Sequence, residues 1–171
     1  CAPRFKPMNS PSPAIVAQGA VRRIPRVALW LFALAYVLPG FIGREPWKSA
    51  DMTAFGYMLA LAQPGADWLA PQLLGMPPVV DGLLPYWLGA AAMQIAPAWV
   101  AADFAARVPF ALLLGLTLIA TWYGTYYLGR SSRAQPVAFA FGGEAKAPDY
   151  ARAIADGALL ALIACLGLAQ L

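Results

Sequence analysis

Half of the acidic side chains of this chain are gathered in one stretch that is also rich in aromatic residues. Residues 44–81 contain four of the eight acids, among them Asp51, Asp67 and Asp81. The aromatic residues around them are Trp47, Phe55, Tyr57, Trp68, Tyr86 and Trp87. Carboxylates accept hydrogen bonds from hydroxyl groups and flat rings stack on C–H faces, so this combination is typical of a site for a polyhydroxylated substrate. A carboxylate in such a site can also act as a general base.

Carboxylates are the acid–base groups on which any catalysis by this chain would rest. The sequence has no histidine, the commonest general base and metal ligand, and no residue is predicted as a metal ligand. A plainer interpretation stands beside the catalytic one. Acids in an external loop are usually just solvated, and aromatic residues at the edge of a bilayer are usually anchors.

The composition is that of a membrane protein. Hydrophobic residues make up 61% of the 171 residues and charged residues only 12%, whereas soluble domains average about 25% charged residues. The net charge of +4 does not indicate a nucleic-acid partner, because the basic residues flank apolar runs instead of lying among aromatic residues on a polar domain. The predicted partner is a membrane, with no nucleic acid.

The apolar runs predict an all-α integral membrane fold with two to three transmembrane helices and an external juxtamembrane helical segment between spans one and two. A disordered cytoplasmic tail is expected over residues 1–23, because Pro, Ser and Ala dominate there. Residues 24–43 have the length of one crossing. A cleaved signal peptide is the competing interpretation, but its apolar core would be shorter and no small-x-small cleavage site stands near Gly43.

The charge distribution predicts the orientation. Residues 1–26 hold five bases and no acid, whereas residues 44–81 hold two bases and four acids, so the tail is expected in the cytoplasm of a bacterial-type inner membrane. Residues 44–107 are then external. The uncharged run at 82–102 could itself be read as a span, but Pro85 and Pro97 interrupt it, so it is predicted as interfacial helices anchored by Trp87 and Trp99.

The remaining spans follow from the same pattern. Residues 108–129 are uncharged, end in a group of aromatic residues and are followed by Arg130. This pattern predicts a transmembrane span that ends on the cytoplasmic side. Residues 130–152 are predicted as a cytoplasmic loop. Residues 153–171 begin a third transmembrane helix that is expected to be truncated, which predicts either a small protein with a marginal last span or the front part of a longer one.

The order of residues in the external segment resembles the first external loop of the GT-C class of membrane glycosyltransferases, in the branch of lipid A aminoarabinose transferases and protein mannosyltransferases. That loop commonly reads W-x-P-D-E-x-x-Y, then G-D-W-L-x-P-x-L-x-G-x-P-Y-x-E-K-P-P-L-x-Y-W, then F-x-A-R-x-P. The matching residues are Trp47, Asp51, Phe55, 66–77 (ADWLAPQLLGMP), Leu84, Tyr86, Trp87, Phe104, Ala106, Arg107 and Pro109.

The resemblance assigns roles to single residues. Asp51 falls on the acid that is implied to be the catalytic base, while Met52 replaces the adjoining Glu of the family. Asp81 stands one position beyond the Glu associated with the donor or metal site, where this sequence has Val80. The resemblance implies substrate binding by Asp81, Trp47, Phe55, Tyr86, Trp87 and Arg107. Two other interpretations of Arg107 are open. It has a structural role, paired with Asp103 or Asp81, or it contacts lipid phosphate.

The resemblance implies transfer of a sugar from a polyprenyl-phosphate carrier to a lipid or protein acceptor on the outer face of the membrane. The family's chains have many more spans, so we expect this sequence to be the N-terminal part of a polytopic transferase and to be inactive alone. A divalent cation is the candidate cofactor. The alternative prediction is a small non-enzymatic multi-span subunit or assembly partner.

Overall fold

The computed structural model describes residues 15–42, 48–78 and 82–165, and these residues form helices and no strands. The helices are α1 (Arg26–Phe41), α2 (Ser49–Ala62), α3 (Leu84–Ile95), α4 (Ala102–Gly129) and α5 (Ala147–Ile163), preceded by a 3₁₀ turn at Gln18–Ala20. The predicted all-α class is confirmed for this part of the chain. The contacts divide it into two compact units, one built mainly from residues 31–118 and the other from residues 15–30 and 119–164.

Helix α4 is, within the described ranges, the one helix long and apolar enough to cross a membrane by its length and composition. Its 28 residues extend about 42 Å at 1.5 Å per residue. The apolar helix α1 is shorter, at 16 residues. Helix α4 begins six residues before the predicted start at residue 108, because Asp103 in its first turn interacts favourably with the positive end of the helix dipole.

Helices α2 and α3 pack against each other and form the hydrophobic core of the first unit. Tyr57, Met58 and Leu61 of α2 are buried against Tyr86 and Ala90 of α3. Gly89 allows this approach, because a Cβ atom there would lie 2.3 Å from the Met58 sulfur. The segment between α1 and α4 is therefore helical, as predicted.

Pro85 and Pro97 mark the two ends of α3. Pro85 lies in the first turn, where its missing N–H has no intrahelical partner to lose, and Pro97 follows the C-cap residue Ala96. The predicted interruption at Pro85 is instead the start of α3. Trp99, which follows, is 84% exposed, and its role as an anchor stays a prediction.

In the second unit, residues 15–24 lie along the start of α5. The predicted disordered tail of residues 1–23 differs from the structure at residues 15–23, because the Gln18 N–H donates to the Gly143 carbonyl at 2.9 Å and the Ala145 N–H donates to the Val16 carbonyl at 3.0 Å. Residues 1–14 lie outside the described part. Helix α5 begins at Ala147, within the predicted loop 130–152, since Pro148 and Asp149 both favour the first turn of a helix.

Asp149 connects the N-terminal segment to α5. The Gln18 side-chain amide donates to Oδ2 of Asp149 at 2.9 Å, and the Arg23 guanidinium donates to Oδ1. The hydrogen bond from Gln18, together with the charges of Arg23 and Lys146, holds the pKa of the Asp149 carboxyl below its ordinary value, against the opposing effect of burial.

We therefore expect this contact to be sensitive to acid. Because the pKa is lowered in the folded state, the stabilisation is complete above about pH 4, the ordinary value, and is lost as the pH falls through the lowered value. Thermal unfolding of the detergent-solubilised protein between about pH 5 and pH 2 measures this loss. Asp149→Asn should flatten the pH dependence in that window, and Glu144→Gln is the control. An unchanged acid profile in Asp149→Asn would contradict the assignment.

Candidate functional site

Asp51 lies in the first turn of α2 and is exposed to solvent. The structure describes six of the eight acids, and five of them have a hydrogen bond or ion pair within the described residues: Asp67, Asp103, Glu144, Asp149 and Asp156. Among these residues no donor or cation engages the carboxylate of Asp51. The side chain is free to accept a proton or a hydrogen bond from a ligand.

Three of the predicted substrate-binding residues are held in the packing of α2 and α3. Phe55, one helical turn after Asp51, is half-buried against the core, and Tyr86 is buried with its ring centroid 5.5 Å from that of Tyr57. The Trp87 indole N–H donates to the Trp68 carbonyl at 2.7 Å. The packing places Phe55 beside Asp51 on α2. The same packing engages the indole N–H of Trp87. This residue was predicted as an anchor at the bilayer interface.

Arg107 lies in the second turn of α4. Its guanidinium is 3.8 Å from the Asp103 carboxylate, one helical turn earlier, and the pair is partly exposed. The predicted pairing with Asp103 is thereby confirmed, although an exposed pair of this kind contributes little stability. Trp47 and Asp81 lie outside the described residues, so their predicted roles in substrate binding remain predictions.

The segment at residues 66–77 carries most of the resemblance to the glycosyltransferase loop, and its Asp and Gly residues have structural roles. Asp67 accepts hydrogen bonds from the backbone N–H groups of Leu69 and Ala70, at 2.9 and 3.3 Å. Gly75 adopts a φ of +78° in a two-residue turn, a conformation that glycine adopts at little cost. The carboxylate of Asp67 thus stabilises this loop, a role that the sequence analysis did not assign.

The Tyr57 hydroxyl ties the same loop to α2. It donates to the Pro77 carbonyl at 2.7 Å and lies 3.1 Å from the Met76 carbonyl oxygen. The loop that leads towards Asp81 is therefore fixed to the helix that carries Asp51.

A cleft in this unit lies at the other end of α2. It has a volume of about 370 Å³ and is lined by Ala60, Leu61, Ala66, Asp67, Ala70, Pro71 and Gln72. Ala60 is nine residues from Asp51, which corresponds to about 14 Å along the helix. Asp51 is therefore not part of this cleft.

A divalent cation has no ligand set among the described residues. No group of three or more His, Cys, Asp or Glu side chains comes together in that part of the chain. Asp51 alone cannot supply the several oxygen ligands that Mg²⁺ or Ca²⁺ prefers. We therefore assign no step of a reaction to a cation.

A second polar cluster, which the sequence analysis did not predict, lies in the other unit. Asp156 is 1% exposed and accepts hydrogen bonds from the Trp122 indole N–H at 2.8 Å and from the Ile24 backbone N–H at 3.3 Å. Arg152 lies 4.0 Å from the same carboxylate and donates to the Ile24 carbonyl at 3.2 Å. The cluster joins three chain segments and is fully engaged, which is the signature of a structural role.

Comparison with known proteins gives a partial likeness to thiamine transporters. No family model and no solved structure matches this sequence. Human thiamine transporter 1 is 31% identical over 94 residues, which are 50% of this chain and 19% of that protein. Mouse thiamine transporter 1 is 29% identical over 113 residues, 61% of this chain and 22% of that protein. The chain spans about a fifth of the length of these relatives, and a match of this extent does not assign a family.

Proposed function

We propose that this chain is the part of a polytopic GT-C-like glycosyltransferase that carries the general base, and that the base is Asp51. The observation that carries the proposal is the free, exposed carboxylate of Asp51 at the start of α2, while the other described acids are engaged by the protein itself. The order of an apolar helix, two packed helices and a long apolar helix supports the same architecture.

The proposed reaction moves a sugar from a polyprenyl-phosphate donor to an acceptor. The acceptor oxygen attacks the anomeric carbon and forms the new glycosidic bond, while the bond from that carbon to the phosphate oxygen breaks. The lipid phosphate leaves with the electron pair, and Asp51 takes the acceptor proton. Attack opposite the leaving group inverts the configuration at the anomeric carbon.

In the proposed topology, α4 crosses an inner membrane, α1 contributes to a neighbouring span and the residues after Ala153 begin a third. The N-terminus is cytoplasmic, because the bases before α1 and after α4 are retained on that side. The segment with α2 and α3 is then external, where Asp51 meets the phosphosugar at the membrane surface.

Cysteine labelling tests this topology without disturbing Asp51. Met52→Cys introduces a thiol next to Asp51, at a side chain that is 58% exposed, in a background with Cys1 and Cys165 changed to Ser. A membrane-impermeant maleimide added to intact cells should label this position. Labelling only after the cytoplasmic side has been opened would overturn the proposal.

A non-enzymatic membrane subunit is the second candidate, and the partial likeness to thiamine transporters favours a role in transport. The two candidates differ in what the full-length protein does in membrane vesicles. Transfer of a labelled sugar from a polyprenyl-phosphate donor to membrane acceptors supports the transferase. Saturable thiamine uptake without sugar transfer would support the carrier.

A further inference from the structure

The second unit carries an excess of positive charge that its own acids do not neutralise. Its described residues contain seven bases and three acids. Arg23 and Arg152 are engaged by Asp149 and Asp156. Four exposed arginines have no carboxylate within 4 Å in the described part of the chain: Arg22, Arg26, Arg130 and Arg133. We call these four residues the arginine patch.

Packing against α5 brings the two halves of the arginine patch to the same helix. Arg152 donates to the carbonyl of Ile24, which lies between Arg22 and Arg26 in sequence. On the other side, Gly129 packs against Ala151 so closely that a Cβ atom on the glycine would lie 3.1 Å from the Ala151 Cα. Arg130 is the next residue along the chain, so both halves adjoin residues that contact α5 between Ala151 and Asp156.

An aromatic layer precedes the arginines along α4. Its members are Trp122, Tyr123, Tyr126 and Tyr127, with adjacent rings 4.9 to 6.4 Å apart. Tyr123 is 52% exposed and Tyr127 is 65% exposed. Amphipathic rings favour the level of the lipid headgroups, and arginine favours the phosphates just beyond.

We propose that the arginine patch binds the phosphate of an anionic phospholipid in the cytoplasmic leaflet. This proposal rests on the proposed crossing of the membrane by α4 and is independent of glycosyl transfer. A lipid fits better than free phosphate, because the exposed tyrosine rings beside the arginines offer an apolar surface that an inorganic ion does not use. The planar guanidinium group of arginine binds two phosphate oxygens in bidentate geometry.

The test titrates the full-length protein in detergent micelles with phosphatidylglycerol or phosphatidylcholine and follows thermal unfolding by tryptophan fluorescence. Phosphatidylglycerol should raise the unfolding midpoint, and phosphatidylcholine should not. In the double variant Arg130→Gln/Arg133→Gln, the phosphatidylglycerol concentration for half of the effect should rise about fivefold for each arginine removed.

Three controls separate lipid binding from folding and from bulk charge. Arg130→Lys/Arg133→Lys keeps both charges and should restore most of the binding, which would exclude misfolding as the cause of the loss. Lys48→Gln removes a positive charge from the other unit and should leave the titration unchanged. Inorganic phosphate should produce no shift at matched ionic strength.

Three results would overturn the proposal: equal shifts with both lipids, an unchanged titration in the double Gln variant, or a shift of the same size with inorganic phosphate. Labelling of Met52→Cys reads the topology separately. Correct labelling with no lipid preference would reject the lipid site and leave the proposed transferase standing.

Discussion

Asp51→Asn in the full-length protein is expected to lower glycosyl transfer by about 10²- to 10⁴-fold, the usual contribution of a general base. The amide has nearly the same shape as the carboxylate but cannot take a proton from the acceptor. Because no hydrogen bond or ion pair within the described residues engages Asp51, the substitution should leave insertion and thermal unfolding nearly unchanged. Initial rates of sugar transfer in membrane vesicles, normalised to inserted protein, measure the effect.

Asp67→Asn is the matched control, because it removes a carboxylate charge from the same unit. The asparagine side-chain oxygen can still accept the N–H groups of Leu69 and Ala70, so the loop is retained. Transfer should stay close to that of the unmodified protein. Full activity in Asp51→Asn would reject the general base, and loss of a complex with unchanged transfer would indicate the assembly partner instead.

Asp156→Ala is expected to destabilise the protein by about 3–5 kcal/mol, the range found when one partner of a buried polar or ionic network is removed. The alanine leaves the Trp122 indole N–H and the Ile24 N–H without their acceptor and leaves Arg152 without its partner. Chemical unfolding in detergent, followed by far-UV circular dichroism, measures the loss.

Asp156→Asn distinguishes the hydrogen bonds from the charge. Its side-chain oxygen can still accept the indole N–H, so the loss should be clearly smaller than that of the alanine variant. Equal losses in the two variants would show that the negative charge opposite Arg152 carries the stabilisation. Unfolding of Asp156→Ala at the same denaturant concentration as the unmodified protein would contradict the structural role of the cluster.

Helix positions were largely predictable from the sequence, because proline placement and the length of apolar runs act locally. The structure confirms helical segments within 24–43 and 108–129, and it ends α3 at the residues before Pro97. Helices α4 and α5 both begin six residues earlier than predicted. Asp149 was placed in the predicted loop and Asp103 in the external segment before the span, whereas an acid in the first turn of a helix is stabilised by the unpaired N–H groups there.

The choice of Asp51 as the candidate base also came from the sequence, through the family resemblance of the segment at 66–77, and it stays a prediction. The roles of its neighbours were harder to predict. Trp87 was expected at the bilayer surface, but the approach of α3 to the loop at Trp68 engages its N–H. Asp67 lies among aromatic residues in the sequence, as a substrate-binding acid would. Only the backbone geometry of the loop shows that two N–H groups donate to one of its oxygens.

By itself the sequence determined the helical class and the approximate helix ends, since these depend on neighbours within a few residues. Only the tertiary structure decided which acids are occupied by the protein. Gln18 and Asp149 are 131 residues apart in sequence, and Ile24 and Asp156 are 132 apart. Contacts over such separations depend on how helices pack, which neither composition nor local spacing encodes. Among the described carboxylates, Asp51 is the one that no hydrogen bond or ion pair of the described residues engages.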